Sequence, residues 1–115
     1  MINVNNLEKM TRADLLRYLN GKQHRKLCHN TTVSLSDNNN DIIVRYYNTE
    51  ILNYWQDNNG NEFVLLNSGG WYTTTTKFRI NRLTGLGLYQ KNFDWFVTNP
   101  TGEDLPFENN MILAI

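Results

Sequence analysis

Between residues 11 and 20, apolar positions recur at Leu15, Leu16 and Leu19, close to the spacing of one helical face. Thr11 with Asp14 three positions on has the form of a capping box, and Gly21 stands where a helix end calls for a left-handed residue. A helix over residues 11–20 is predicted, docked through those three leucines. Residues 1–10 lack such a rhythm and read as a partly ordered lead-in to a single domain spanning 11–115. From residue 27 the period changes: Leu27, His29, Thr31, Val33 and Leu35 alternate with Cys28, Asn30, Thr32 and Ser34, the pattern of one half-buried strand. After a turn at 37–40, residues 41–47, 49–55 and 62–66 read as further strands, the last two joined by the hairpin signal Asp57-Asn58-Asn59-Gly60. Residues 86–91 and 95–98 form another hairpin about 92–94. Asn99-Pro100-Thr101-Gly102 then turns the chain toward a last short strand at 111–114.

One stretch fits neither ordinary core nor ordinary loop. Residues 68–81, SGGWYTTTTKFRIN, place two glycines before an indole, then four threonines before Lys77 and Arg79, with Arg82 just beyond. Threonine runs favour strands, but a threonine is also a good helix cap, and Phe78 or Ile80 with Leu83 would make the inward face of a helix ending at Gly85. The expectation is therefore a second short helix whose first-turn amides and threonine hydroxyls face whatever lies beyond the GGW turn. The whole is an α+β domain: an antiparallel sheet of five to seven strands with an N-terminal helix and this second one.

Composition narrows the function more than the fold. Lysine plus arginine equals aspartate plus glutamate at 11 each, so no global field drives the chain onto nucleic acid or an anionic membrane. The charge is nevertheless blocked along the chain: residues 1–29 and 73–91 are net positive, and 30–72 and 92–115 net negative. The sole cysteine, Cys28, excludes an internal disulfide framework. The N-terminus lacks the pattern of a secretory signal, and no apolar run approaches the ~20 residues of a spanning helix. A cytoplasmic protein without a membrane span is expected. Asparagine occurs 19 times, which predicts short elements and many turns.

Together with HNTTV at 29–33, VRYYNTEI at 44–51 and VLLNSGGW at 64–71, the GGW-x-T-x-TT-K-x-R-x-N stretch resembles a group of short uncharacterised proteins encoded by tailed bacteriophages and related mobile elements. The resemblance covers roughly residues 11–111. The chain departs from it at Tyr46 and Tyr47, where one aromatic or histidine is expected, and in the acidic segment from Glu103 to Glu108. What the resemblance implies is origin, a phage or mobile-element accessory protein.

The residue supply argues against catalysis. Cys28 and His29, adjacent on one strand, would point to opposite faces, which leaves only His24 as a partner for a thiolate. His24, Cys28 and His29 offer zinc no fourth ligand, Glu103 with Asp104 is a solvated loop pair, and Ser68-Gly69-Gly70 is not a phosphate loop. No enzyme, cofactor or metal is expected. Two binding roles remain. One is an inhibitor or adaptor of a host or defence protein, anti-CRISPR-like or a host-takeover factor, using some of Tyr46, Tyr47, Tyr54, Trp55, Trp71, Tyr72 and Trp95. The other is a nucleic-acid module in which Lys77, Arg79, Arg82 and Lys91 meet phosphates while Trp71 or Tyr72 stacks a base. Neutrality favours the first. The candidate binding residues are Trp71, Thr73, Thr75, Lys77, Arg79, Arg82 and Lys91.

Overall fold

The computed structural model describes residues 1–38 and 40–115. Helix α1 (Arg12–Leu19) starts as its sequence dictates. The Thr11 side chain accepts from the Asp14 amide, the Asp14 carboxylate accepts from the Thr11 amide, and the capping box closes. It ends on Asn20, which itself takes the left-handed conformation at φ 51°, one residue before the expected glycine. Leu15 and Leu19, one turn apart, are buried; Leu16 is 40% exposed and does not share in the docking. A step of 100° per residue turns Leu16 off the line that Leu15 and Leu19 define. The first ten residues, expected as a lead-in, form a single 3-10 turn at Val4–Asn6 and insert Leu7 fully into the core.

Period-two patterning builds a six-stranded antiparallel sheet from β1 (His24–Cys28), β2 (Thr31–Leu35), β3 (Ile42–Tyr46), β4 (Thr49–Gln56), β5 (Glu62–Leu66) and β9 (Met111–Ala114), in the order β1-β2-β3-β4-β5-β9. One face carries the core in cross-strand rows. Val33, Val44, Leu52 and Leu66 are successive partners, and so are Ile42, Tyr54, Val64 and Leu113. A register shift after Val44 lets Ile51 and Leu52 both point inward, which simple alternation forbids. The single strand expected over 27–35 is in fact a hairpin. Asn30 takes φ 53°, a conformation asparagine tolerates, and β1 folds back on β2. The tight turn preserves the alternation of Leu27, Thr31 and Val33, so the break is invisible to periodicity. The turn expected at 37–40 falls partly on Asn39, which lies outside the described residues.

Helix α2 (Thr74–Thr84) is the second helix, capped by Thr73 at its start and by Gly85, at φ 71°, at its end. It buries Ile80 and Leu83. Its Asn81 side chain donates to the Leu88 carbonyl and accepts from the Leu88 amide, tying the helix to the strand that follows. That strand, β6 (Gly87–Lys91), pairs with β7 (Asp94–Thr98) and β7 with β8 (Asp104–Pro106), forming a separate three-stranded sheet. The α+β class with two helices is as expected. The strands number nine among the described residues because β1 and β8 were not legible, and they divide between two sheets. Among the described residues no helix is long and apolar enough to cross a membrane.

Candidate functional site

The turn after β5 is pinned at one end and released at the other. Ser68 is fully buried, and both its amide and its hydroxyl donate to Asn109 Oδ1, at 2.9 and 2.8 Å. Gly69 and Gly70 follow at φ 65° and 86°. A Cβ on Gly69 would stand 2.5 Å from the Thr49 methyl, so close approach to β4 as well as the left-handed backbone requires glycine there. The Trp71 amide donates to the Ser68 carbonyl and closes the turn. Trp71 emerges 65% exposed, and Tyr72 beside it is also exposed. Asn109 Nδ2 reaches the Tyr72 hydroxyl at 3.2 Å, so one asparagine holds both the root of the turn and one of its rings.

Each ring borders a cleft. The first, of about 440 Å³, is lined by Tyr46, Tyr47, Asn48, Thr49, Trp71, Thr73 and Thr75. Tyr47 opens the two-residue link between β3 and β4 at φ 54°, an uncommon backbone for a bulky side chain, and its ring stands exposed and edge-on to Tyr46 at 4.8 Å. The second cleft, of about 500 Å³, lies on the small sheet between Tyr72, Trp95 and Phe107, with Phe93 at its margin. Tyr72 meets Trp95 edge-on at 4.9 Å. Phe93, at the tip of the β6–β7 hairpin, has φ 71° and is 93% exposed, so an apolar ring and a strained backbone coincide where neither helps folding.

The sequence-predicted residues divide between these surfaces. Trp71, Thr73 and Thr75 line the first cleft together. Lys77 turns the other way, its ammonium 5.5 Å from the centroid of Trp95. Arg82 lies over Phe78 at 4.9 Å, and Lys91 is exposed at the end of β6. Arg79 is no surface residue. It is 5% exposed, its Nε donates to Thr31 Oγ1 at 2.7 Å, its Nη2 donates to the His29 carbonyl at 2.9 Å, and its guanidinium lies 4.5 Å from the Tyr46 centroid. Arg79 is buried, and Lys77 lies over Trp95 on the other side of the helix from positions 79 and 82, so the three cations do not form one basic surface. The far wall of the first cleft, Tyr46 to Thr49, was foreseen only as candidate aromatics. The signal for it was the bulky tyrosine in a two-residue strand link.

Cys28 is buried at the end of β1 while His29 sits exposed in the hairpin turn, its carbonyl engaged by Arg79. Burial, and not opposite faces of one strand, separates Cys28 from His29. Among the described residues no three histidine, cysteine or acidic side chains converge as metal ligands do. Burial pushes the Tyr54 phenol well above its ordinary pKa of 10.0. That ring belongs to the core and to neither cleft.

No curated protein and no solved structure matches the chain. Residues 8–114, almost the full length and including both clefts and the GGW turn, match a family of phage proteins. The chain belongs to the Kyanoviridae Gp96 protein family.

Proposed function

We propose that this phage protein acts without catalysis in the host cytoplasm, by binding a host or defence protein as an inhibitor or adaptor, in the manner of an anti-CRISPR or host-takeover factor. The observation that supports this is the grouping of Tyr47, Trp71, Tyr72 and Phe93, four exposed aromatic rings, around two adjoining clefts. Exposed aromatics beside shallow concavities are the usual anchors of protein interfaces. Tyr72 is tied through its hydroxyl to Asn109, and Tyr47 and Phe93 are presented by positive-φ backbone at hairpin turns. The competing reading is a nucleic-acid module. It keeps the stacking rings but loses Arg79 to the core, and Lys77 and Arg82 already lie over aromatic faces.

The test is capture from host lysate treated with nuclease, comparing the native chain with Trp71→Ala and Phe93→Ala. The reading expects a protein partner that survives nuclease and is lost in one or both variants while their melting temperatures stay within a few degrees of the native value. Capture that disappears with nuclease supports the nucleic-acid reading instead. Sub-micromolar binding to random oligonucleotides at ~150 mM salt would do the same.

A further inference from the structure

We infer that the cleft between Trp71 and Tyr47 receives an acidic side chain of the protein partner, seated beside an apolar neighbour; this rests on the binding role proposed above. No charged residue lines that cleft, but its Tyr46 wall lies against the buried Arg79 guanidinium. Arg79 is almost wholly buried, and among the described residues its guanidinium hydrogen-bonds to a threonine hydroxyl and a backbone carbonyl. Among the described residues no carboxylate lies within ion-pair distance of it, the two ion pairs being Arg17 with Asp14 and Arg45 with Glu50. A buried cation without a counter-charge is costly, and its field is weakly screened by the ring that separates it from the cleft. That ring is Tyr46, a cleft wall.

The first turn of α2 adds to the same potential. It contains no acid, and its Thr75 lines the cleft. The acid nearest in sequence to the cleft's β4 wall, Glu50, is already held by Arg45 at 2.8 Å. A positive focus of this size, walled by rings and hydroxyls, matches one carboxylate with an adjacent apolar side chain. A nucleic-acid backbone fits less well, because successive phosphates ask for a row of solvent-facing cations. Here Arg79 is buried, and Lys77 and Arg82 are laid over the rings of Trp95 and Phe78.

The experiment uses the full chain labelled for nuclear magnetic resonance and three probes. These are a hexapeptide amide alternating aspartate with phenylalanine, its twin with asparagine for aspartate, and a short oligothymidylate. The acidic peptide should shift the Trp71 indole and Thr75 amide signals, and the neutral twin should bind roughly ten-fold more weakly. Thr75→Asp places a carboxylate in the cleft while complementing the start of α2, so it should keep the native spectrum elsewhere and lose the acidic peptide by a larger factor than the neutral twin. Equal binding of the two peptides overturns the inference. So does the absence of any shift at Trp71 and Thr75, or tighter binding of the oligothymidylate than of the acidic peptide. If Trp71→Ala abolishes partner capture while the peptides show no charge preference, the binding role stands and only the acidic partner falls. If capture survives Trp71→Ala but is lost in Phe93→Ala, the partner docks at the second cleft and the inference falls; if it survives both, the surface itself is wrong.

Discussion

The two helices begin alike and end up in different service. Each opens on a threonine whose side chain accepts from an amide three residues on, Asp14 for Thr11 and Thr76 for Thr73. In α1 the residue at that third position is an acid that reaches back and closes the box, and the cations nearby are met by oxygens: Arg12 by Asn40, Arg17 by Asp14, and Arg25, on β1, by the Tyr18 carbonyl. In α2 the third position is Thr76, which hydrogen-bonds to Thr73 through its hydroxyl at 3.1 Å, and no acid answers the helix start. Its three cations lie over the rings of Trp95, Tyr46 and Phe78, as Arg25 also lies over Tyr18, and Arg79 meets two oxygens besides. A helix whose charges are settled internally is scaffold. One whose start is left positive, beside exposed rings and a cleft, is where the proposed partner would complete the electrostatics.

The largest effect should separate the anchoring of α1 from its surface. Leu15→Asp forces a charge into a fully buried site and should cost about 3–5 kcal/mol, whereas Leu16→Asp, at a position 40% exposed, should cost less than about 1 kcal/mol. Equal losses in urea denaturation would mean that α1 docks through a different face. The anchor of α2 is polar instead. Arg79→Ala strips a buried side chain from Thr31, His29 and Tyr46 and should cost about 2–4 kcal/mol, while Arg82→Ala, exposed, should stay within about 0.5 kcal/mol. Arg79→Lys should recover less than half of the loss, because an ammonium cannot reproduce the planar fork that spans both oxygens while lying on a ring. Similar costs at 79 and 82 would restore the picture of one continuous basic face.

That contrast also marks where sequence was informative. Thr11 with Asp14, and a threonine of the 73–76 run with Gly85, pointed to both helices because caps are local chemistry, settled within a few residues. Strands β3, β4, β5 and β9 were legible because one buried face imposes alternation. β1 was hidden because its turn at Asn30 leaves the parity of the apolar positions intact, and β8 because Leu105 is its one apolar residue and Pro106 reads as a breaker although it sits in an edge strand. Half of the candidate cleft was legible in Trp71, Thr73 and Thr75. The other half, Tyr46 to Thr49, belongs to a different hairpin, and only tertiary structure brings it across. Arg79 was misjudged for a related reason: in a basic stretch nothing local tells an inward arginine from an outward one, and Thr31 lies 48 residues away.

The glycine turn that carries Trp71 offers a smaller, more pointed test. Gly69→Ala should cost about 2 kcal/mol, since it meets both a positive φ and the Thr49 methyl at 2.5 Å. Gly70→Ala faces open space and should cost about 1 kcal/mol, the backbone penalty alone. Thr49→Ser removes that methyl, so in its background the cost of Gly69→Ala should fall toward that of Gly70→Ala. A cost that does not change in the double variant would show that contact with β4 does not set the turn.

The smallest effect distinguishes the two helix starts by pH. Hydrogen bonds from the Thr11 amide and side chain, aided by Arg17, hold the Asp14 carboxyl below its ordinary value of 3.8. A carboxyl with a lowered folded-state pKa contributes stability that is complete above the unfolded value and is lost as pH falls through the folded one. The start of α1 should therefore loosen only in acid, below pH 3.8, whereas the Thr73–Thr76 start of α2 contains nothing that titrates there. Amide hydrogen exchange across an acid titration reads both ends in one sample. Exchange at Thr11 and Asp14 should accelerate at a higher pH than exchange at Thr76 does, and Asp14→Asn should remove that difference at the outset by weakening the Thr11 bond at every pH. Simultaneous acceleration at Asp14 and Thr76 would indicate one global acid transition, and the distinction between a closed and an open helix start would have no thermodynamic expression.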